Sequence, residues 1–445
     1  MIRIANGQGF WGDWLEAPVR LVEQGPIDYL ALDYLAEITM SILQKQKQAG
    51  ANLGYARDFP PLVARIAARI RQNGIKVIAN AGGVNPVACA REVVRLAPGL
   101  KVAVVLGDDV FARLDEFRAK GYEMRDMDTG EAIDRIRAQI LSANAYIGAF
   151  PLAEALATGA DVVVAGRSTD TALTLAPMVH WFGWGPDDFD RLAAGTIAGH
   201  IIECGAQSTG GNCQVDWQTI PDMAGIGYPI VEAEPDGTFT VTKHAAAGGR
   251  INTHVVKEQL LYELGDPRNY ITPDCVADFT TIRLEDCGPD RVRVSGIHGG
   301  SRPPTLKLSI AYAAGWKAIG TLVYSWPQAL EKAEAADRIV RDRLRQIGLS
   351  FDEIYTEYFG VNACLGPAAS PNPDPPEVQV RIGVRGPDRK AVDRFTRELI
   401  PLVLNGPPGA TGFGEGRPAV REIIAYWSAL VPREEIQTRV EVVTA

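Results

Sequence analysis

Short apolar runs alternate with helix-period stretches through roughly the first 170 residues, an order that few architectures accommodate. Candidate strands are Ile2–Ala5, Tyr29–Leu32, Lys76–Ala79, Lys101–Leu106, Tyr146–Ala149 and Asp161–Ala165. Several are unbroken apolar runs, as strands covered on both faces must be. Between them lie amphipathic stretches such as Pro61–Asn73, where Leu62, Val63, Ile66 and Ile70 form one stripe that stops before Gly74. The expected fold class is therefore α/β, with a mostly parallel sheet flanked by helices in the N-terminal part. In such sheets ligands bind at the loops after the strands. Three of those loops carry polar groups: Ala81-Gly-Gly-Val-Asn85-Pro, Gly107-Asp108-Asp109 and Gly166-Arg167-Ser-Thr-Asp170.

The chain has 445 residues, too many for one ordinary core, and the pattern changes twice along it. Residues 1–180 form the expected α/β domain. Residues 181–304 read as a mixed lobe with glycine-rich loops, short strands at Phe239–Thr242 and Arg291–Val294, and a helix at Asn252–Leu264. Residues 305–445 read as an α+β domain. Its order is a hairpin (Leu306–Tyr312 with Ala318–Tyr324), a helix Gln328–Ile347, strands near Tyr355–Gly360 and Glu377–Val384 around a Pro-rich loop, and a helix Lys390–Leu402. A late glycine-rich loop ending at Arg417 is read as a lid or a subunit contact.

Composition narrows the function classes. A net charge of −9 with no Lys/Arg-rich run argues against a nucleic-acid partner. No apolar stretch reaches the ~20 residues that span a bilayer, and the N-terminus lacks a signal-peptide pattern, so a cytoplasmic protein without a membrane partner is expected. The six cysteines are scattered without CxxC spacing, which suits reduced thiols.

Gly7-Gln-Gly9-Phe-Trp-Gly12 follows the first strand, and Asp33 ends the second, which together approximate a dinucleotide-binding fingerprint. Asp13 puts negative charge where a pyrophosphate would sit, and Phe10 and Trp11 crowd the loop. The favoured reading is a structural β–α turn, with a nucleotide site as the alternative. In Gly166-Arg167-Ser168-Thr169-Asp170, helix capping accounts for the last three residues but not for Arg167, a group suited to clamping a carboxylate or phosphate. The run from Gly199 to Cys213 brings together His200, Glu203, Cys204, Gly210, Gly211 and Asn212. The His-x-x-Glu spacing puts two side chains on one helix face, as an acid–base pair or two metal ligands require. Cys204 is a candidate nucleophile, and the glycine turn a candidate anion nest. Asp108 and Asp109 stand in reserve as ligands for a divalent metal.

Taken in order, Gly9-Phe-Trp-Gly-Asp, Asp28-Tyr-Leu-Ala-Leu-Asp-Tyr-Leu-Ala-Glu, Asn80-Ala-Gly-Gly-Val-Asn-Pro, Gly166-Arg-Ser-Thr-Asp-Thr-Ala-Leu, Gly199-His-Ile-Ile-Glu-Cys-Gly-Ala-Gln, Gly211-Asn-Cys, Gly227-Tyr-Pro-Ile-Val-Glu and Leu261-Tyr-Glu-Leu-Gly-Asp-Pro resemble the acyclic terpene utilisation (AtuA) family over most of the chain. The resemblance implies a place in bacterial catabolism of branched terpenoid acids through CoA thioesters, with a lyase role on a branched hydroxy-acyl thioester. It carries no catalytic assignment. Longer relatives have an appended small α+β domain, so a small partner subunit is a further expectation.

The expected function is thus a catabolic lyase or hydro-lyase acting on a branched hydroxy-acid or its CoA thioester. Asp170, His200, Glu203 and Cys204 are the catalytic candidates. Arg167, Asn85, Gly210, Gly211, Asn212 and Arg250 are the substrate-binding candidates. No cofactor beyond the CoA of the substrate and a reserve divalent metal is expected, and a homo-oligomer is the base expectation. The rival readings are an NAD(P)-dependent oxidoreductase and a non-catalytic ligand-binding or partner subunit.

Overall fold

The computed structural model describes residues 1–370, 372, 374–412 and 416–443. Parts of the Pro-rich loop and of the late glycine-rich loop, at 371, 373 and 413–415, lie outside the described residues. The chain divides into two compact units, Met1–Ala311 with Tyr426–Ala445, and Tyr312–Ala425.

The first unit is built on a ten-stranded sheet. Five strands in its middle are parallel: β1 (Ile2–Gln8), β2 (Tyr29–Leu32), β3 (Lys76–Ala79), β4 (Val102–Leu106) and β6 (Val162–Ala165). Their spatial order is β1-β2-β3-β6-β4. Ile230–Ala233, Phe239–Thr242, Arg291–Ser295 and Arg283–Gly288 extend the sheet antiparallel beyond β1, and Arg439–Val443 does so beyond β4. The sheet is therefore mixed rather than mostly parallel. The parallel middle follows from chain order: each of these strands is followed by a helix that can carry the chain back over the sheet. Short connections join Ile230–Ala233 to Phe239–Thr242 and Arg283–Gly288 to Arg291–Ser295, and each of these pairs runs antiparallel.

Alternation along each parallel strand feeds two cores. Tyr29, Ala31, Ile78 and Val163 pack on one face with helices Ala149–Ala157, Ala172–Phe182 and Phe189–Ile202. Leu30, Leu32, Val77, Val162 and Val164 pack on the other with helices Glu16–Gln24, Phe59–Asn73 and Pro86–Leu96. Both faces are covered, which accounts for the unbroken apolar runs in the sequence.

The fifth expected strand is displaced. The strand is β5 (Ile140–Ala145), and Tyr146 to Gly148 lead into the helix that starts at Ala149. β5 lies outside the ten-stranded sheet and pairs with the strand Thr305–Ser325. The helix expected at Asn252–Leu264 is shorter, Thr253–Leu261, with the Asn252 side chain accepting the Val255 N–H as its cap.

The expected hairpin is replaced by the single strand Thr305–Ser325, whose Trp316–Ser325 half, in the second unit, pairs antiparallel with Glu377–Gly386. Gly315 looks like a turn residue in the sequence, but its positive φ of 99° is accommodated within the strand, where a Cβ would lie 2.8 Å from the Gly386 carbonyl oxygen. Glu353–Phe359 lines the other edge of Glu377–Gly386, and helix Ala329–Gln346 packs Ala333, Ala336 and Val340 on the sheet. The helix expected at Lys390–Leu402 is two short ones, Arg389–Phe395 and Leu402–Asn405. All six cysteines are free thiols, and among the described residues no helix is long and apolar enough to cross a membrane.

Candidate active site at the strand ends

The carboxyl ends of the parallel strands lie side by side, and a polar residue closes or follows each. Gln8 closes β1, Asp33 follows β2, Asn80 follows β3, Arg167 comes after β6, and Asp108 comes after β4. These residues hold one another. Asn80 Nδ2 donates to Asp33 Oδ1 at 2.7 Å, and Asn80 Oδ1 accepts the Tyr34 N–H at 2.7 Å. Asp108 accepts the Arg167 N–H at 2.7 Å and Asn144 Nδ2 at 2.9 Å.

Arg167, 2% exposed, is the centre of the cluster. Its Nη1 donates to the Leu35 carbonyl and, at 3.1 Å, to Asp170 Oδ1. Its Nη2 donates to the Tyr146 hydroxyl at 3.2 Å and lies 3.8 Å from Glu37 Oε1, to which that hydroxyl in turn donates. Burial works against the Arg167 charge, but Asp170, Tyr146, Glu37 and Asp33 around it hold the guanidinium firmly protonated. Burial raises Asp33, and the charge of Asp170 raises it further; burial also raises Asp170, against the pull of Arg167. Arg167 Nε and the hydroxyls of Ser168 and Thr169 are buried with no partner among the described residues. Capping does not claim these hydroxyls: the helix begins after Thr171, without a side-chain cap.

Helix Phe189–Ile202 delivers the second pair. His200, 1% exposed, is walled in by the rings of Tyr270 and Phe279, with centroids 5.4 and 5.3 Å away. Its Nδ1 lies 3.2 Å from Glu203 Oε1 without the alignment of a hydrogen bond. Burial pushes Glu203 up to about 7 against the pull of His200, and the charges of Asp170 and Glu263 add to the rise. Burial disfavours charge on His200, and Glu203 overcomes this and raises it. Both groups therefore hold a proton more readily than they would in water. The backbone at Glu203 is fixed from β1: Asn6 Nδ2 donates to its carbonyl at 3.1 Å, and a Cβ on Gly9 would lie 3.2 Å from that same oxygen. Burial also pushes Cys204 up to about 12, so its sulfur is a thiol at neutral pH and is not activated as a nucleophile.

A cavity of about 350 Å³ opens beside this cluster, lined by Tyr146, Thr169, Asp170, Tyr270 and Lys307. The rest of its wall is largely apolar, including Ile271, Leu306 and Leu430. The Asp170 side chain is 40% exposed, and the surface it leaves open belongs to this cavity. A larger cavity of about 600 Å³ in the second unit is lined by Lys317, Gln379, Arg417 and Arg421, with no Asp, Glu, His or Cys among its described residues, so it offers no acid–base group.

Several expected residues serve other ends. Asn85 Nδ2 donates to the carbonyls of Ala51 and Leu53 and pins that loop. The Arg250 guanidinium is bound to Thr219. The N–H groups of Gly210 and Gly211 donate to the Gln207 and Ala206 carbonyls, and Asn212 continues the turn at a φ of 55°. Asp108 is taken up in holding Arg167, and Asp109 accepts the Phe111 N–H at 3.1 Å. Among the described residues no three His, Cys, Asp or Glu side chains are grouped to hold a metal. In the Gly7–Gly12 segment, the Asp13 carboxylate accepts the Gly9 N–H at 2.9 Å and the Tyr228 hydroxyl at 2.6 Å. It occupies the position a pyrophosphate would need, and Gly7 is small because Pro18 lies 2.9 Å from where its Cβ would be. Sequence reasoning missed Glu37, Asn80, Tyr146, Tyr270 and Lys307, and it noted Asp33 only as part of the alternative nucleotide fingerprint. Only the position just past a strand marks Asp33 and Asn80.

The mixed sheet, with helices on both faces and a cluster of acidic and basic groups at its strand ends, defines an α/β protein. Residues 2–442 match the acyclic terpene utilisation family protein AtuA, and the chain belongs to that family. No curated protein and no solved structure matches it.

Proposed function

We propose that this protein is a lyase or hydro-lyase acting on a branched hydroxy-acid or its thioester, with Asp170 transferring the proton at the substrate. The observation that carries this reading is Asp170 itself: a carboxyl raised by burial, bound to a buried guanidinium, and open to a largely apolar cavity. A carboxyl raised by burial holds its proton more readily than an exposed one, which suits a group that must give and take a proton. The apolar wall suits a branched hydrocarbon chain, and Lys307, whose ammonium lies 5.3 Å from the centroid of the Tyr146 ring, supplies a cation for a carboxylate or a developing oxyanion. His200 and Glu203 act on Asp170 through charge alone, since the charges of Asp170 and Glu203 influence each other. Membership of a family described by acyclic terpene utilisation supports a catabolic role on branched carbon skeletons.

The test is turnover of branched 3-hydroxy-acyl thioesters and the free hydroxy-acids by wild-type protein and Asp170→Asn. Asp170→Asn is expected to lower kcat by roughly 10²-fold or more while substrate still binds. Undiminished turnover in that variant would falsify the assignment.

A further inference from the structure

A second cavity, of about 180 Å³, lies next to the reaction cavity, and the two share Pro273 and Leu306 in their walls. Two arginines line it, Arg302 and Arg433, with Asp274. Arg302 is exposed and makes no hydrogen bond or ion pair with any described residue. Arg433 is anchored through Nε to the Pro303 carbonyl at 3.1 Å and through Nη2 to the Pro273 carbonyl, and Nη1 has no partner among the described residues. Carbonyls hold that guanidinium in place without neutralising it.

Among the described residues the lining holds one acid against these two cations. Asp274 is 4% exposed, and both of its oxygens accept the Ala149 N–H at the start of helix Ala149–Ala157, at 3.0 and 2.9 Å. Burial pushes its carboxyl up to about 6. Burial lowers Arg433, and the charge of Arg302 lowers it further, so the two guanidinium groups repel each other across the cavity. Two cations facing a single carboxyl leave a net positive site that an anion would relieve.

We propose that Arg302 and Arg433 form an anion subsite, taking a phosphate or carboxylate group, beside the reaction cavity. The group can arrive in two ways: as part of a ligand that reaches past Pro273 and Leu306 from the reaction cavity, or as free phosphate. Only the first of these rests on the function proposed above.

Binding of inorganic phosphate and of malonate, measured by calorimetry on the whole protein, tests the subsite without any need for turnover. Wild-type protein should bind one of them, and Arg302→Gln should weaken that binding roughly tenfold, the worth of one charge-assisted hydrogen bond. The exposed Arg302 makes no hydrogen bond or ion pair with a described residue, so this variant is expected to fold as wild type does. Asp274→Asn, which keeps an acceptor for Ala149 but removes the charge, should tighten the same binding. A wild-type protein that binds neither anion, or an Arg302→Gln variant that binds as wild type does, overturns the subsite. Competition separates the two sources. If phosphate raises KM for the substrate and leaves kcat unchanged, the group belongs to the substrate; if it binds without affecting KM, the site takes free anion. Failure of Asp170→Asn to impair turnover would remove the proposed reaction and leave this site standing.

Discussion

At the residue scale, the strand-end cluster is an excess of buried acid over buried base. Asp33, Glu37 and Asp170 surround one guanidinium, and Glu203 and Glu263 add to the field at Asp170. Burying carboxylates without enough cations favours their neutral forms, so some of these groups keep protons at pH values where exposed carboxyls have lost them. The exception shows the cause: Glu37, against Arg167 and the Tyr146 hydroxyl, is held below the usual range although burial alone would raise it. Glu203 changes charge near pH 7 within reach of Asp170, so kcat/KM should show an inflection there. Glu203→Gln should remove that inflection and leave measurable turnover. His200→Gln should move it to higher pH, because the charge that pulls the Glu203 carboxyl down is gone. pH–rate profiles of the two variants check this, and an inflection unmoved by both would show that another group produces it.

At the element scale, β4 and β6 place Asp108 and Arg167 by running side by side, and glycines set how closely the chain beyond them can approach. Gly107 has a φ of 114°, and a Cβ there would lie 2.2 Å from the Gln437 carbonyl oxygen, just ahead of the strand Arg439–Val443. Gly107→Ala therefore meets both a disfavoured backbone conformation and a clash with backbone that cannot swing aside. It should cost roughly 3 kcal/mol, read as a lower denaturant midpoint, and should also impair turnover through the adjoining Asp108. The same scale shows what the sequence could disclose. β2, β3, β4 and β6 were legible because both their faces are covered and their residues read as unbroken apolar runs. β5 was not: Ser142 and Asn144 interrupt its pattern, and the apolar Tyr146-Ile147 just beyond it is loop. Gly315 misled because a positive-φ glycine marks a turn and an irregular strand equally well. Arg167, Asp170, His200 and Glu203 could be found because each lies in a dense local motif. Glu37, Tyr146 and Tyr270 reach the cluster from three separate elements, and no local pattern announces that.

At the scale of the molecule, the buried acids should move the stability optimum to the acid side of neutrality. Burial raises Asp108 from 3.8 to about 6, Asp274 from 3.8 to about 6, and Glu203 from 4.5 to about 7. A carboxyl raised in the folded state contributes stability that is fully present below its unfolded pKa and is lost as pH rises through the folded value. For these groups the loss falls between about pH 4 and pH 7. The opposing set, including Glu37, Asp161 and Glu232, is lowered in the folded state, so its contribution is lost as pH falls below the usual carboxylate range. Together the two trends place the maximum at about pH 4 to 5, where the lowered set is already ionised and the raised set has only begun to lose its protons. Asp108 alone, shifted by about two pH units, accounts for about 3 kcal/mol of the decline toward neutral pH. Denaturant midpoints measured from pH 4 to pH 8 should peak below neutrality. Asp108→Asn keeps an acceptor for the Arg167 N–H but cannot ionise, so its midpoints should fall less steeply between pH 5 and 7 than those of the wild type. A variant curve parallel to the wild type across that interval would show that Asp108 is already ionised at little cost, and that the strand-end cluster holds more positive charge than Arg167 and its neighbours supply.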